Sequence, residues 1–516
     1  MPKSARTQTG SRFAPGRGTN FARPSFTTKR TFLAVLFLGL FAMAARNVDD
    51  PDVWWHLKTG EYIAAHKSVP HTDPFSYTRA GQPWVAHEWL TELGLYEIQR
   101  SAGFAGLILV FAAILTAAFV LLYLRCGPAA YIAGVMTLWG ALAARPVWGV
   151  RPQVISLLLT SLWLFILERA EKNAKLVWWT LPLTLLWVNL HAGFALGIAI
   201  SALFIAGSLT ERIFHCEAHR LWLPVAVFAL DLLLVPLNPN GLRMFSYPFE
   251  TLRSTAMQKY IAEWASPNFH RAEYWPFLLL VLATFVALGC SRISLRPNDL
   301  LLLLVSLFAS LVSIRMIPFF VLIAVPIVCR RLGVWPRIDP NLRKRAFSRD
   351  KRAFATAFNI AIVTGMILFA VIHSRQVIQQ QATVENNRFP ARAVAFLHTH
   401  PPSGPMFNYY DWGGFLIWKL YPPLRVFIDG RADVYGEKIF QDFADAYGLK
   451  DSWKQILQRW HIQTVLVPSD SALATALRAD PAWKVAYQDS QATILMTSGE
   501  SREMLSPSKP AQTLRE

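Results

Sequence analysis

The chain has 516 residues, 53% of them hydrophobic and 16% charged, with a mean hydropathy of +0.30, a balance that excludes an ordinary water-soluble domain and fits a multi-span membrane protein. The formal net charge of +18 does not indicate nucleic acid, because the basic residues fall in blocks beside hydrophobic runs, as orientation signals do. Four cysteines, Cys126, Cys216, Cys290 and Cys329, lack zinc or disulfide spacing and read as free thiols at span ends.

Residues 1–30 carry Lys3, Arg6, Arg12, Arg17, Arg23, Lys29 and Arg30 and no acid, which predicts a disordered basic cytoplasmic tail. The run 31–45 that follows has no small-residue cleavage site and reads as a membrane anchor. Hydropathy predicts further spans near 103–124, 128–144, 153–167, 176–190, 193–210, 221–237, 275–289, 299–314, 317–329 and 355–373, about eleven in all, within a multi-span unit 31–373. Starting inside places Arg125, Arg169 with Lys172 and Lys175, Arg212 with Arg220, Arg292 with Arg296, and the block Arg330–Arg352 in the cytoplasm. All four cysteines then fall on the inner side. The same alternation sends loops 46–102 and 238–274, and everything after the last span, to the outer face of the plasma membrane.

Loop 46–102 contains DDPDVWWHLKTGEYIAAHKSVPHTDPFSYTRAGQPWVAHEWL, Asp49 to Leu90. It is too aromatic for a linker and too ionisable for a core, so it reads as a folded active-site loop; an aromatic belt with helix caps at the bilayer surface is the alternative. Loop 238–274 opens on an Asn-Pro-Asn-Gly turn and carries Glu263 beside Trp264. Arg145 and Arg151 in RPVWGVRPQ, Asn189 and His191 in NLHAGF, and Arg315 in SIRMIPFF stand at predicted outer span ends. An arginine there pairs, snorkels to headgroups or meets an anion such as phosphate. Asp231 in LDLLL has no evident partner in the sequence. Residues 374–497 alternate helical and strand-like pieces and predict an α/β domain, followed by a polar tail, 498–516. Phosphate-loop, dinucleotide and zincin motifs are absent, since His87-Glu88 is followed by Trp89, Leu90 and Thr91.

Asp52-Val53-Trp54-Trp55-His56-Leu57-Lys58-Thr59-Gly60-Glu61-Tyr62-Ile63, directly after the first span, resembles the D-P-W-x-x-x-R-x-x-x-x-L start of the first external loop in oligosaccharyltransferase catalytic subunits. It also resembles the D-E-x-x-Y loop of polyprenyl-phosphate sugar transferases in the GT-C superfamily. Asn408-Tyr409-Tyr410-Asp411-Trp412-Gly413-Gly414, followed by RVFIDGRADVYG, is similar to the W-W-D-Y-G segment and its downstream A-D-G-N. The resemblance implies a polytopic α-helical membrane protein of GT-C type with a C-terminal extracytoplasmic α/β domain. It implies a membrane glycosyltransferase that moves a sugar or glycan from a polyprenyl-phosphate or -diphosphate donor to a glycan, lipid or protein acceptor at the outer face.

Such a transfer needs a carboxylate to deprotonate or orient the acceptor, opposite a cationic site for the leaving phosphate. The candidates are Asp52 as base, with Asp50 second; Arg315, Arg145 and Arg151 for the donor phosphate, assisted by Lys58 and His56; and Tyr409, Tyr410, Asp411 and Trp412 for the acceptor, facing down onto the first loop. The family's second external carboxylate motif belongs where RPVWGVRPQ stands, a stretch without Asp or Glu. A divalent metal, Mg or Mn, would therefore draw on Asp52, Glu263 and Glu88, with Asp73 as a further candidate. NYYDWGG lacks the first two tryptophans, so recognition of an Asn-x-Ser/Thr acceptor does not carry over. The competing expectation is a non-enzymatic transporter or scaffold with a partner-binding outer domain. It does not require the first loop and the C-terminal domain to meet in one cleft.

Overall fold

The computed structural model describes residues 27–215, 221–333 and 349–498. The basic tail up to residue 26, Cys216, most of the Arg330–Arg352 block and the polar tail beyond residue 498 lie outside the described residues. The helices up to residue 388 are α1 (Thr28–Ala44), α2 (Val53–His66), α3 (Trp89–Arg125), α4 (Ala130–Ala144), α5 (Pro152–Ala170), α6 (Thr180–Leu190), α7 (Phe194–His215), α8 (Trp222–Leu234), α9 (Arg243–Arg253), α10 (Thr255–Tyr260), α11 (Trp275–Cys290), α12 (Pro297–Val312), α13 (Ile317–Leu332) and α14 (Arg349–Arg388).

Every predicted hydrophobic run is helical, and α5, α11, α12 and α13 begin with proline in the first turn, where a missing N–H costs nothing and the fixed φ suits the helix. Among the described residues, six helices are long and apolar enough to cross a membrane: Trp89–Arg125, Ala130–Val147, Pro152–Ala170, Phe194–Phe214, Ala272–Cys290 and Ala353–Arg388. The expected eleven crossings are not established by length, because α6 has 11 residues and α8 has 13 where a 30 Å hydrocarbon layer asks for about 20. Gly103, at φ +61°, breaks α3 into a loop-side part and a membrane part. Helix α13 is the centre of the bundle, buried without interruption from Ile317 to Cys329, and packs against α4, α11 and α12. Asp231, unpartnered in the sequence, accepts hydrogen bonds from Thr180 Oγ1 (2.8 Å) and Thr184 Oγ1 (2.6 Å) and ties α8 to α6.

The C-terminal unit holds four strands, β1 (Met406–Asn408), β2 (Thr464–Pro468), β3 (Trp483–Gln488) and β4 (Ala492–Thr497), in the order β1-β2-β4-β3. The β1–β2 pair is parallel and the other two pairs are antiparallel. Helices α15 (Ala391–Thr399), α16 (Gly413–Leu420), α17 (Ala432–Tyr447), α18 (Trp453–Arg459) and α19 (Ala472–Ala479) surround the sheet. Strands β2 and β4 are covered on both faces, which accounts for their continuous apolar runs. The strand-like piece RVFID does not enter this sheet. Its Val426 N–H donates to Phe75 O (3.2 Å) and its carbonyl accepts from Tyr77 N–H (3.1 Å), so it pairs edge to edge with the first loop.

Candidate active site

The first loop is held where it leaves α1. Gln381 on α14 brackets the Val48 peptide, accepting from its N–H (2.8 Å) and donating to its carbonyl (2.9 Å), and Asn47 Nδ2 donates to Val377 O (2.7 Å). Asp50 Oδ1 then accepts from Asp52 N–H (2.9 Å), a local Asx turn that launches α2. Trp54 anchors that helix in an aromatic nest of Phe104, Phe389 and Phe415, at ring distances of 5.4, 5.3 and 5.0 Å. Asp52 occupies the N-cap position without capping. Its Oδ1 instead accepts from Trp55 Nε1 (3.2 Å).

Around Asp52 the chain assembles an alternation of acids and bases. Arg151 pairs with both Asp50 and Glu263, and Arg315 Nη2 reaches Glu263 Oε2 at 3.2 Å. The Arg315 guanidinium lies 5.2 Å from the Trp264 ring centre, and its Nε is buried without a partner. Burial pushes the Asp52 carboxyl up to about 6, against the pull of the His56 and Arg315 charges. Burial, and then the neighbouring Arg315, lower Arg151 to about 10. From this network a cavity runs along α5, α7 and α13, lined by Leu157, Leu196, Phe319 and Leu322 as well as Arg151 and Arg315. Leu157 and Thr160 lie two turns or so down α5 from Arg151, so the cavity passes from an arginine mouth into apolar helix faces.

A second buried group lies beside the first. His87 Nε2 meets Glu88 Oε1 at 2.7 Å, and His56 Nδ1 lies 3.3 Å from Glu92 Oε1 and 4.0 Å from Glu88 Oε2. Burial alone would raise Glu88, but His87 and His56 outweigh it and hold the carboxyl well below the usual range. His191 shares a hydrogen bond with Ser156 Oγ (2.8 Å), and burial draws it down to about 4. Tyr247 on α9 stacks near the His87 ring at 4.4 Å and donates to Asp433 Oδ2 (3.2 Å).

The C-terminal unit closes the site from above through the turn Asp429-Gly430-Arg431. A Cβ at Gly430 would overlap the Asp52 carboxylate, so only glycine lets the turn lie this close. Arg431, fully buried, bonds Asp73 Oδ1 and Asp429 Oδ2, each at 2.7 Å. Its guanidinium sits between the Phe75 and Trp84 rings at 5.0 and 4.7 Å. Burial would raise Asp73, but Arg431 overrides it and holds the carboxyl low. The first loop thus touches the bundle through Asp50 and Arg151, and the C-terminal unit through Asp52 with Gly430 and Asp73 with Arg431.

No protein-family profile matches the sequence, and no curated protein matches it. Solved structures do. The apo oligosaccharyltransferase of Archaeoglobus fulgidus aligns with a TM-score of 0.51 at 10% identity, over 86% of this chain and 70% of that one. The chain has a GT-C fold. ArnT from Cupriavidus metallidurans, solved bound to undecaprenyl phosphate, aligns at 0.49 with 12% identity over 90% and 97% of the two chains. The arabinofuranosyltransferase AftD from mycobacteria aligns at 0.45 with 12% identity over 92% and 40%.

Within this GT-C fold the structure brings together Asp50, Asp52, His56, Glu88, Arg151, Glu263 and Arg315. It does not bring in Arg145, which is exposed and whose carbonyl accepts from Arg46 Nη1 (3.3 Å). Lys58 also lies apart, paired with Glu61 at 2.7 Å and over the rings of Trp418 and Tyr421. Of the four acceptor candidates, Tyr410 faces the Asp52 and Asp429 charges, and burial drives its hydroxyl well above the ordinary value. Tyr409 donates to Asp411 Oδ2 (3.4 Å), and Trp412 Nε1 donates to Arg388 O (3.3 Å), so these three turn toward the end of α14. Gly413 and Gly414 pack against Asp429 and the Pro51 carbonyl.

The donor set does not fit a resident divalent metal. Among the described residues no three His, Cys, Asp or Glu groups converge on a point. Asp52 is bonded to Trp55, Glu263 is taken by Arg151 and Arg315, and Glu88 is taken by His87. The positive charge at this site is guanidinium, from Arg151 and Arg315. Glu92, Tyr247, Asp429, Arg431 and Asp433 were not singled out as site residues from the sequence. The last three stand within RVFIDGRADVYG, a visible Asp-Gly-Arg signal, whereas Tyr247 looks like one more interfacial aromatic.

Proposed function

We propose that the chain is a GT-C glycosyltransferase that transfers a sugar from a polyprenyl-phosphate donor to an acceptor at the outer face of the plasma membrane. The observation that carries this reading is a cavity with Arg151 and Arg315 at its mouth and apolar walls along α5 and α13, with the Arg315 charge acting on the buried Asp52 carboxyl. The similarity to ArnT, an undecaprenyl-phosphate-bound neighbour, names the lipid class to try first. The prenyl chain lies along the helices, and its phosphate meets the arginines. Asp52 takes the proton of the attacking acceptor group as that group bonds to the sugar's anomeric carbon. The bond from that carbon to the phosphate oxygen breaks, its electron pair stays on the phosphate, and the guanidiniums stabilise the charge. Asp50 and Glu263 hold Arg151 and Arg315 in place before the donor arrives. Tyr410, beside Asp52, contacts the acceptor, with Tyr409, Asp411 and Trp412 behind it.

The test is a purified-protein screen in liposomes against undecaprenyl-phosphate-linked sugars, following release of the polyprenyl phosphate. Turnover is expected with at least one donor and absent in Asp52→Asn. Arg315→Lys is expected to weaken donor binding about tenfold, since an ammonium does not replace a forked guanidinium. Failure of every donor, or an active Asp52→Asn protein, would overturn the reading.

A further inference from the structure

Helix α9, RMFSYPFETLR, shows three different faces. Met244 and Tyr247 are buried, at 0% and 6% exposure, and Tyr247 reaches His87 and Asp433 as described. Arg243, Ser246, Glu250 and Arg253 are exposed and polar. The remaining edge is apolar and uncovered: Leu242, Phe245, Phe249 and Leu252 are 74%, 41%, 61% and 50% exposed. Their spacing of i, i+3, i+7 and i+10 makes one stripe of an α-helix. Four such side chains in a row are more than a soluble surface shows to water.

Three features identify what covers the stripe. It follows in the chain the exposed Leu233 and Leu237, at and just after the end of the apolar helix α8. Trp275, exposed in the first turn of the membrane-length helix α11, is a residue typical of the membrane–water boundary. Arg253 lies beside the stripe, where a headgroup phosphate would sit. A helix with these faces lies in the plane of the interface.

From α9 the chain continues as a strap along α17. Tyr247 OH bonds Asp433 (3.2 Å), Thr255 Oγ1 bonds Glu437 (2.9 Å) and Tyr260 OH bonds Gln441 (2.9 Å), partners spaced four residues apart on α17. The strap ends at Glu263, which holds Arg151 and Arg315. We infer that the apolar edge of α9 is inserted in the phospholipid surface and that this contact holds the strap 243–264 against the C-terminal unit and the arginine mouth. The bilayer is then a ligand of the protein, and removing it loosens a wall of the site.

The test uses the full chain with its native cysteines replaced, in phosphatidylethanolamine–phosphatidylglycerol vesicles, carrying a nitrobenzoxadiazole label at one introduced cysteine. Labels at Phe245→Cys, Phe249→Cys and Leu252→Cys are expected to be quenched at least twofold more by doxyl-labelled lipid than labels at Ser246→Cys and Glu250→Cys. Equal quenching on both faces, or none on the apolar one, overturns the insertion. In the same vesicles Phe249→Glu is expected to speed amide exchange across 433–441 about tenfold, while Phe249→Leu leaves it unchanged. Unaltered exchange in a folded Phe249→Glu protein overturns the coupling. The labelling arm stands even if that variant does not fold. Neither arm depends on turnover, so both remain decisive if the transferase reading fails.

Discussion

Asp52 is kept in a place that suits a base and not a surface carboxylate. Its carboxyl is raised from 3.8 to about 6, chiefly by burial, so between those values the folded protein holds a proton that the unfolded chain has released. The carboxyl's contribution to stability is therefore present below pH 3.8 and lost as pH rises through about 6. Two outcomes follow from one residue. Transfer, measured as kcat/KM, is expected to rise about tenfold per pH unit up to about pH 6 and then level off, provided Asp52 is the limiting base. Asp52→Asn is expected to be inactive and, at pH 8, more stable than the parent by up to about 3 kcal/mol, because the neutral amide escapes the desolvation cost; thermal unfolding in detergent at two pH values measures this. An active Asn variant would remove Asp52 from the role of base, and one less stable than the parent at pH 8 would show that burial does not raise its carboxyl. Gly430 belongs to the same contact. Gly430→Ala presses a methyl group on the carboxylate and is expected to lower kcat about 100-fold with donor binding retained, since small misplacements at the reacting group are costly. Parallel loss of kcat and donor affinity would point to collapse of the turn instead.

Among the elements, the first loop and the RVFID–GRAD stretch are one structure made from two distant segments. Their bond is the Arg431 cluster, in which one guanidinium meets two carboxylates and two aromatic faces without solvent. Arg431→Ala leaves Asp73 and Asp429 buried with no counter-charge, an arrangement that costs about 3–5 kcal/mol. Hydrogen exchange is expected to rise across 70–86 and 425–435 together, with the membrane helices unaffected; exchange rising in only one segment would show that they are independent. Hydrophobic runs gave the helices directly, because burial in lipid or core depends on local composition. RVFID, which reads as strand-like, forms only an isolated parallel bridge with the first loop, Val426 beside Ser76. The alternation of apolar residues is the same whether the edge met is a sheet or the first loop, and nothing in the local pattern distinguishes them. Asp231 illustrates the opposite case, where a costly buried acid could not be explained until the hydroxyls of Thr180 and Thr184 were seen beside it.

At the level of the whole molecule, the first loop, the strap and the C-terminal unit share one face of the bundle, while Arg125 and its partner Glu168 (2.8 Å) lie at the other ends of α3 and α5. With the positive blocks inside, introduced cysteines between Lys58 and Arg79 or in the C-terminal unit are expected to react with a membrane-impermeant maleimide on intact cells. Cysteines in 337–352 are expected to react only after permeabilisation. Identical labelling of both sets would overturn the orientation. By itself the sequence determined a helical membrane protein and the Asp50–Asp52 start of α2, because hydropathy and turn chemistry act over a few residues. Only the tertiary structure decided that Arg151 and Arg315 share Glu263 and that Gly430 lies on Asp52. It also decided that a guanidinium 358 residues from Asp73 neutralises it. Such pairings arise from how the helices pack, and their energies depend on distance and burial, quantities that no local window of sequence contains.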